Sequence, residues 1–402
     1  MHEDSRPLGD GSTGPAALGR TLGVTRVARL TGLDRTGVEV ASAVRPSGHV
    51  LQVTNGKGAR FADAERGALL EAAELWGAEH PDPSMVIGPC TARALRHRAA
   101  AGEAVIDPAS LDAAPGRRED LPPSDLARAW CRARGLAGAR AAWVPFDAVH
   151  CPPPGDLPRL AALRWTSNGM GAHPRRAAAL LHGLLEAVER DQLARALPDG
   201  FTAEEVSRRA LDPASLAAAA PATDALARAL RRRGFRVALL DLGPGLARRR
   251  PRRAADAPAL PAPVDLGLPV AAALLLDEEG GPVPVAAGYA CRLTRDAALA
   301  AALLEAAQSR ATEIHGARED VASGDRHAAA PLGALLTGAR ARREARQLPE
   351  VTARSTASAV VAVLGRLGAA GYRLAAAVDL CAPAGLAVVK VIVPGLLVSE
   401  LL

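Results

Sequence analysis

Three stretches of this chain are rich in Ala, Leu and Val, are spaced as helices, and still carry polar pairs three residues apart. "FADAERGALLEAAELWGAEH" carries Glu71 and Glu74. "RRAAALLHGLLEAVERDQLARAL" carries Glu186 and Glu189, then Arg190. "RDAALAAALLEAAQSRATEI" carries Glu305 and Gln308, then Arg310. A spacing of three puts both side chains of a pair on one helical face. Two glutamates there repel each other unless a cation or water lies between them. One such pair is ordinarily a solvated face; three on largely apolar helices predict convergence. The product is a cluster of carboxylate and amide oxygens, hard ligands suited to Mg2+ or Mn2+. Mg2+ seldom takes a full protein cage and usually keeps phosphate oxygens, so a nucleotide is its natural companion. A carboxylate-bridged di-iron site would want Glu-x-x-His on these helices, and none stands there. HExxH is also absent, which argues against a zinc protease. His182, four residues before Glu186, reads as a packed or hydrogen-bonding histidine.

The remaining elements alternate. Strand-like runs "GVEVASAVRP" and "HVLQVT" precede the first helix, where Asp63 is a plausible N-cap and Leu69, Ala72, Ala73 and Trp76 form the apolar stripe. "AAWVPFDAVH" reads as a strand entering a proline-rich loop, and Pro174 falls near the first turn of the second helix. "DALARALRRRGFRVALLDLG" reads as helix, Gly turn and strand; "LPVAAALLLDEEGGPVPVAAGYA" as a hairpin around Glu279-Gly280-Gly281. The end reads as helix, strand, strand. Aromatics make up only 2% of the 402 residues, so Ala, Leu and Val must fill most of the core. Residues 1–20 are rich in Gly, Ser and Pro and are expected to be mobile; one domain is expected over 21–400, with a flexible insertion at 247–265.

Charge and cysteine usage narrow the setting. The net charge is +6, but Arg is scattered and stacking residues are scarce, so no nucleic-acid partner is expected. The one dense run, "ARRRPRRAAD", reads as a solvated linker. Five cysteines without a CxxC fit a reducing cytoplasm. The N-terminus has no apolar signal-peptide core, and no run reaches a membrane span. The formal GxGxxG of Gly9 to Gly14 follows no strand and is not read as a dinucleotide site.

The chain has only two lysines, Lys57 and Lys390, and two asparagines, Asn55 and Asn168, each followed by Gly. In "VTNGKGAR" the Asn-Gly pair reads on its own as a type I′ hairpin turn. Its alternative is a phosphate-side turn, in which glycine lets backbone approach an anion and Lys57 offers a compact charge.

These pieces together resemble the YcaO family. The resemblance rests on "TNGKG" before the helix with Glu71 and Glu74, and on "SNGMG" before "GLLEAVERD". It rests also on Gly288 before "EAAQSR" and "GARED", and on the ending "VDL…VVKVIVPGL". It runs from about Leu22 to Leu397. It implies an α+β, YcaO-type fold, with mixed sheets flanked by carboxylate-bearing helices that form a Mg-nucleotide site. It implies ATP and Mg2+ as cofactors and O-phosphorylation of a peptide backbone amide, since phosphate leaves far more readily than an amide oxygen. Carried over by position, Glu71, Glu74, Glu186 and Glu189 would hold the metals. Ser167, Asn168, Arg190, Gln308, Arg310 and Arg318 would face the nucleotide or its phosphates, Glu305 would serve metal or nucleotide, and Lys57 would be a phosphate-side cation. Lys57, Arg190 and Arg310 would be the catalytic cations.

The chain departs from the family pattern at identifiable places. Gly67 and Leu75 stand where the family often has Ser and Arg, and Glu319 where it usually has Asp. His173-Pro174 and Arg176-Ala177-Ala178 replace a Gly-Asn and a Glu-Ala, removing a nucleotide-side Asn and a metal-side Glu. The Pro-x-Pro-x-Pro ending of many azoline-forming members is absent. The opening "GVTRVARLTGLDRTGVEV" and the helix "EAAELWGAEH" look like members encoded beside a TfuA-type partner. That subtype implies thioamide formation on a peptide or protein substrate, with a TfuA-like partner and a sulfide source; a homodimer is compatible with it. An azoline-forming cyclodehydratase and an inactive peptide-binding scaffold remain the alternatives.

Overall fold

The structure is a computed structural model that describes residues 14–111, 126–151, 165–198, 200–243, 264–317 and 343–398. The first layer holds α1 (Pro15–Leu22), β1 (Arg26–Arg29), β2 (Glu39–Val44), β3 (Val53–Gly58) and α2 (Phe61–Glu79). Then follow β4 (Val86–Cys90), β5 (Glu103–Val105), β6 (Arg128–Ala137), β7 (Ala141–Pro145), β8 (Met170–His173) and the long α3 (Arg176–Ala196). The next unit is α4 (Pro221–Arg231), β9 (Phe235–Asp241), β10 (Val270–Asp277), β11 (Val285–Cys291) and α5 (Arg295–His315). The described chain closes with α6 (Thr356–Ala369), β12 (Ala375–Leu380) and β13 (Ala387–Ile392). Shorter helical turns join these elements.

The strands form three sheets. Two have three strands each, in the orders β1-β2-β3 and β11-β10-β9. The third runs β5-β7-β6-β12-β13-β8, with β4 also paired to β6. Only β5 and β7 pair in parallel; the other described pairings are antiparallel. This is the expected α+β, mixed-sheet architecture. Side chains alternate along β12 and β13. Ala375, Ala377, Val389 and Val391 join one core with α3 and α6, while Ala376, Val378, Val388 and Ile392 join the other with α2. The large sheet is thus covered on both faces.

Small residues set how closely helix and sheet approach. A Cβ on Gly56 of β3 would lie 1.9 Å from the Ala64 carbonyl oxygen of α2, and one on Gly171 of β8 would lie 2.2 Å from that of Ala179 on α3. Gly288 of β11 meets α5 in the same way, with the Ala306 nitrogen 2.2 Å from a Cβ position. Backbone rests on backbone at all three crossings, and alanine on the helix side leaves the gap open. A core poor in aromatics thereby becomes three unusually intimate strand–helix pairs.

Several local expectations change. "NGKG" is not a hairpin turn: Asn55, Gly56 and Lys57 lie inside β3, opposite Ser42, Ala41 and Val40 of β2. The close crossing at Gly56, not a reversal, uses the glycine. The second Asn-Gly is a turn, with Met170 N donating to Ser167 O at 3.0 Å and Gly169 at φ 79°. Asp63 is not the cap of α2; the helix starts after an extended Arg60, and Asp63 pairs with the Arg60 side chain. Pro174 precedes the Arg175 cap of α3. The segment 1–20, read as mobile, contains the start of α1, where Leu18 and Leu22 are buried against the core; residues 1–13 lie outside the described residues. The insertion read at 247–265 lies outside the described residues except for 264 and 265. The hairpin at Glu279-Gly280-Gly281 is present between β10 and β11. Among the described residues no helix is long and apolar enough to cross a membrane.

The crossings give a stability contrast. Gly56→Ala is expected to cost about 3 kcal/mol, because its methyl meets fixed backbone. Gly365→Ala, in the middle of α6 with open space around it, is expected to gain about 0.5–1 kcal/mol. Urea denaturation of the two variants measures both.

Candidate functional site

β3, β8 and β11 each stand at the edge of a sheet, so one side of each strand has N–H groups with no neighbouring strand to accept them. Buried edge donors need acceptors. Helix glutamates supply them. Asn55 N of β3 donates to Glu71 Oε2 at 2.8 Å, and Ala172 N of β8 donates to Glu74 Oε1 at 2.9 Å. On β11, Cys291 N donates to Glu189 Oε2 at 3.0 Å and Tyr289 N to Glu305 Oε1 at 3.5 Å. The close crossings bring each helix within a side chain's reach of these donors. Lys57 then closes the ring from β3 to α5, with its Nζ 2.9 Å from Glu305 Oε2.

The ring gathers five glutamates and fewer balancing charges. Arg190 lies 3.6 Å from Glu186 and 3.8 Å from Glu189. Burial, with Glu186 and Glu71 nearby, holds the Glu74 carboxyl well above its usual range. Burial raises Glu186 to about 7, with Glu189 and Glu305 adding to the rise against Arg190. Glu189 is raised by burial and Glu305. Glu305 goes the other way: burial pushes it up, but Lys57 and Arg190 outweigh that and lower it. Positive charge is therefore short beside Glu74, Glu186 and Glu189.

That shortage, and an all-oxygen donor set, suit a hard divalent cation. Buried acceptors point the same way: Asn55 Oδ1 and Asn168 Oδ1 have no hydrogen-bond partner. Among the described residues no three His, Cys, Asp or Glu stand close enough to hold an ion by themselves. The arrangement thus suits Mg2+ that keeps water or phosphate oxygens, with one oxygen of Glu71, Glu74 and Glu189 oriented by a strand N–H.

The other sequence-predicted residues divide. Gln308 is half-buried one turn beyond Glu305 on the same helix, and Ser167 is exposed at the turn that also presents Asn168. Arg310 is not at the ring. Its guanidinium is 1% exposed and bonds Asp34 at 3.0 Å and Asp277 at 2.7 Å, clamping the β1–β2 loop to the β10–β11 hairpin. The reason is helical: two residues past Gln308 is the opposite side of the helix. Arg318 lies outside the described residues. The His182 ring reaches solvent, yet it is surrounded closely enough that burial, with Arg292 and Lys57 nearby, lowers it to about 4.

Two cations escaped the sequence reading. Arg292, just past β11, donates to the Cys291 carbonyl at 2.8 Å, and its charge acts on Glu189 and Glu305. Lys390 of β13 is buried, and burial lowers it to about 8 against the opposing pull of Glu186 and Glu74. Its rarity was the available signal: both lysines of the chain end at this ring.

A family model described as YcaO cyclodehydratase, ATP- and Mg2+-binding, matches residues 55–397. A heterocyclase solved in complex with substrate and cofactor shares the fold at TM-score 0.71 and 20% identity, over 99% of this chain and 54% of that one. This chain thus spans about half of that protein. YcaO from Methanopyrus kandleri, solved with AMPPCP and Mg2+, shares it at TM-score 0.66 and 23% identity, over 95% and 88%. A Rhizobium leguminosarum bv. trifolii protein, described as an uncharacterized protein in the tfuA 3' region, is 29% identical over 308 residues, 75% of this chain and 65% of its own.

The charge shortage predicts a pH slope. Glu186 titrates near 7 in the folded protein and near 4.5 by default, so the fold holds its proton longer than the unfolded chain does. That stabilisation is full below about 4.5 and is lost as pH rises through about 7. In EDTA, Glu186→Gln is expected to flatten this slope and stabilise the protein at pH 8 by about 1–3 kcal/mol. Thermal melts from pH 4 to 8 measure it.

Proposed function

Because this chain belongs to the YcaO family, we propose that it uses Mg·ATP to activate a backbone amide of a peptide or protein, toward a thioamide. The family is one of ATP- and Mg2+-binding cyclodehydratases. The observation that carries the reading is the ring of edge-capping glutamates, short of positive charge and closed by the Lys57–Glu305 pair. In this reading Glu71, Glu74, Glu186 and Glu189 hold Mg2+. When bound, the metal neutralises phosphate charge and orients the phosphoryl group for in-line transfer.

The chain's own residues do the rest. The Lys57 ammonium is held by the Glu305 carboxylate, which phosphate oxygens could replace. Arg190 is held between Glu186 and Glu189 and would face the same phosphates. Arg292 adds a third cation, and it takes the place that the sequence reading gave to Arg310. Ser167, Asn168 and Gln308 are the nucleotide-side polar groups, with Arg318 proposed beside them. These cations stabilise charge on the transferred phosphoryl group.

The substrate amide oxygen takes the γ-phosphoryl of ATP and ADP leaves. A nucleophile then adds to the amide carbon, and phosphate departs with the former amide oxygen. With sulfide as nucleophile the product is a thioamide; with a Cys, Ser or Thr side chain it is an azoline. The Rhizobium relative's place beside tfuA supports the first outcome and a TfuA-like partner. The heterocyclase's fold supports the second.

Two measurements test this. Calorimetry with Mg2+ and a non-hydrolysable ATP analogue is expected to show binding by the wild type, weakened on the order of tenfold or more in Glu186→Ala and Lys57→Ala. No binding by the wild type would sink the enzymatic reading; normal binding by both variants would sink the site assignment. Product mass with peptide, ATP, partner and sulfide decides the chemistry, since a thioamide gains about 16 Da and an azoline loses about 18 Da by atom count.

A further inference from the structure

Lys390 differs from the other cations at the ring. It is 2% exposed, in the middle of β13, opposite Met170 of the edge strand β8. Its ammonium donates to the Thr166 carbonyl and lies 5.5 Å from the centroid of the Trp165 ring. Those two residues lead directly into the turn that presents Ser167 and Asn168. Among the described residues no carboxylate forms an ion pair with it, yet its charge acts on both Glu186 and Glu74. A lysine buried on one carbonyl and one ring face is costly unless nearby negative charge repays the lost hydration.

The packing explains why the charge is felt by two helices. β13 lies between the two, with α2 on one face and α3 on the other. Gly77, one turn beyond Glu74 on α2, rests on Val388, with Cγ1 3.1 Å from a Cβ position. Gly183, one turn before Glu186 on α3, rests on Val391, with Cγ2 again at 3.1 Å. Residues 388–391 are therefore the layer between the two glutamate-bearing turns, and Lys390 is the one charged residue in that layer.

We infer that Lys390 is a positioning residue of the nucleotide site, a fixed internal cation that keeps Glu74 and Glu186 together and tethers the turn bearing Ser167 and Asn168. This rests on the nucleotide-site reading above. Its two actions oppose each other in a useful way. The charge repels a divalent ion at the same carboxylates, whereas the tether orders groups that meet the nucleotide. A residue that only filled space would do neither.

The test separates the two actions on the full chain. With Mn2+ alone as the probe, followed by electron paramagnetic resonance, Lys390→Met is expected to bind metal on the order of threefold or more tighter, because a repelling unit charge is gone. The same variant is expected to bind a non-hydrolysable ATP analogue with Mg2+ on the order of tenfold more weakly, because the turn has lost its tether. Lys390→Arg keeps the charge and should stay near wild type for Mn2+. Lys390→Gln provides the same test if the Met variant does not fold. Parallel weakening of both affinities, or no change in either, overturns the inference while a wild type that binds both probes leaves the site reading standing. A wild type that binds neither probe overturns the site reading, and this inference with it.

Discussion

Three sheet edges meet at one place, and their unpaired N–H groups must be satisfied inside the protein. Glutamates on α2, α3 and α5 do this in four hydrogen bonds, to Asn55, Ala172, Cys291 and Tyr289. Edges are ordinarily covered or left to water. Here they are capped by carboxylates, which fixes the caps in orientation and concentrates negative charge where the sheets converge. The caps reach because the helices lie so close, and the helices lie close because Gly56, Gly171 and Gly288 have no side chain to hold them off. Gly67 belongs to the same contact: a Cβ there would lie 3.3 Å from Gly56 Cα.

The cost of that arrangement is electrostatic. Glu74, Glu186 and Glu189 are desolvated beside others of like charge, so all three hold protons more tightly than free glutamate does. Lys57 relieves Glu305, and Arg190 partly relieves the α3 pair. What remains is a fixed frame that gains from divalent metal, built by groups whose first duty is to the backbone. Fold and proposed binding site are one set of interactions, so ligand binding should stiffen the junction of all three sheets.

The departures from the family pattern fall outside that frame. Ala178 sits in the first turn of α3, next to Ala179, which rests on Gly171. Pro174 precedes the helix cap. Neither residue caps a sheet edge, so their substitution leaves the four carboxylate–backbone bonds in place. Arg292 brings a cation to the same rim from β11. Arg310, despite its motif, serves the fold through Asp34 and Asp277.

The sequence by itself determined the helices, their polar pairs, the hairpin at Glu279-Gly280-Gly281 and the alternating strands of the C-terminal half, because these follow from local spacing. The family resemblance also singled out the four glutamates proposed to hold metal. Only tertiary structure decided what those glutamates touch. No local rule tells that Glu71 and Glu74, one turn apart on one helix, cap strands of two different sheets. Nor does spacing reveal that "NGKG" continues a strand: Asn-Gly favours a turn, and pairing with β2 together with the crossing of α2 over Gly56 keeps it extended. Lys390 reads locally as a charge interrupting an apolar strand. Its place between two helices depends on residues about 200 and 300 positions away in sequence, contacts made by packing rather than by local propensity.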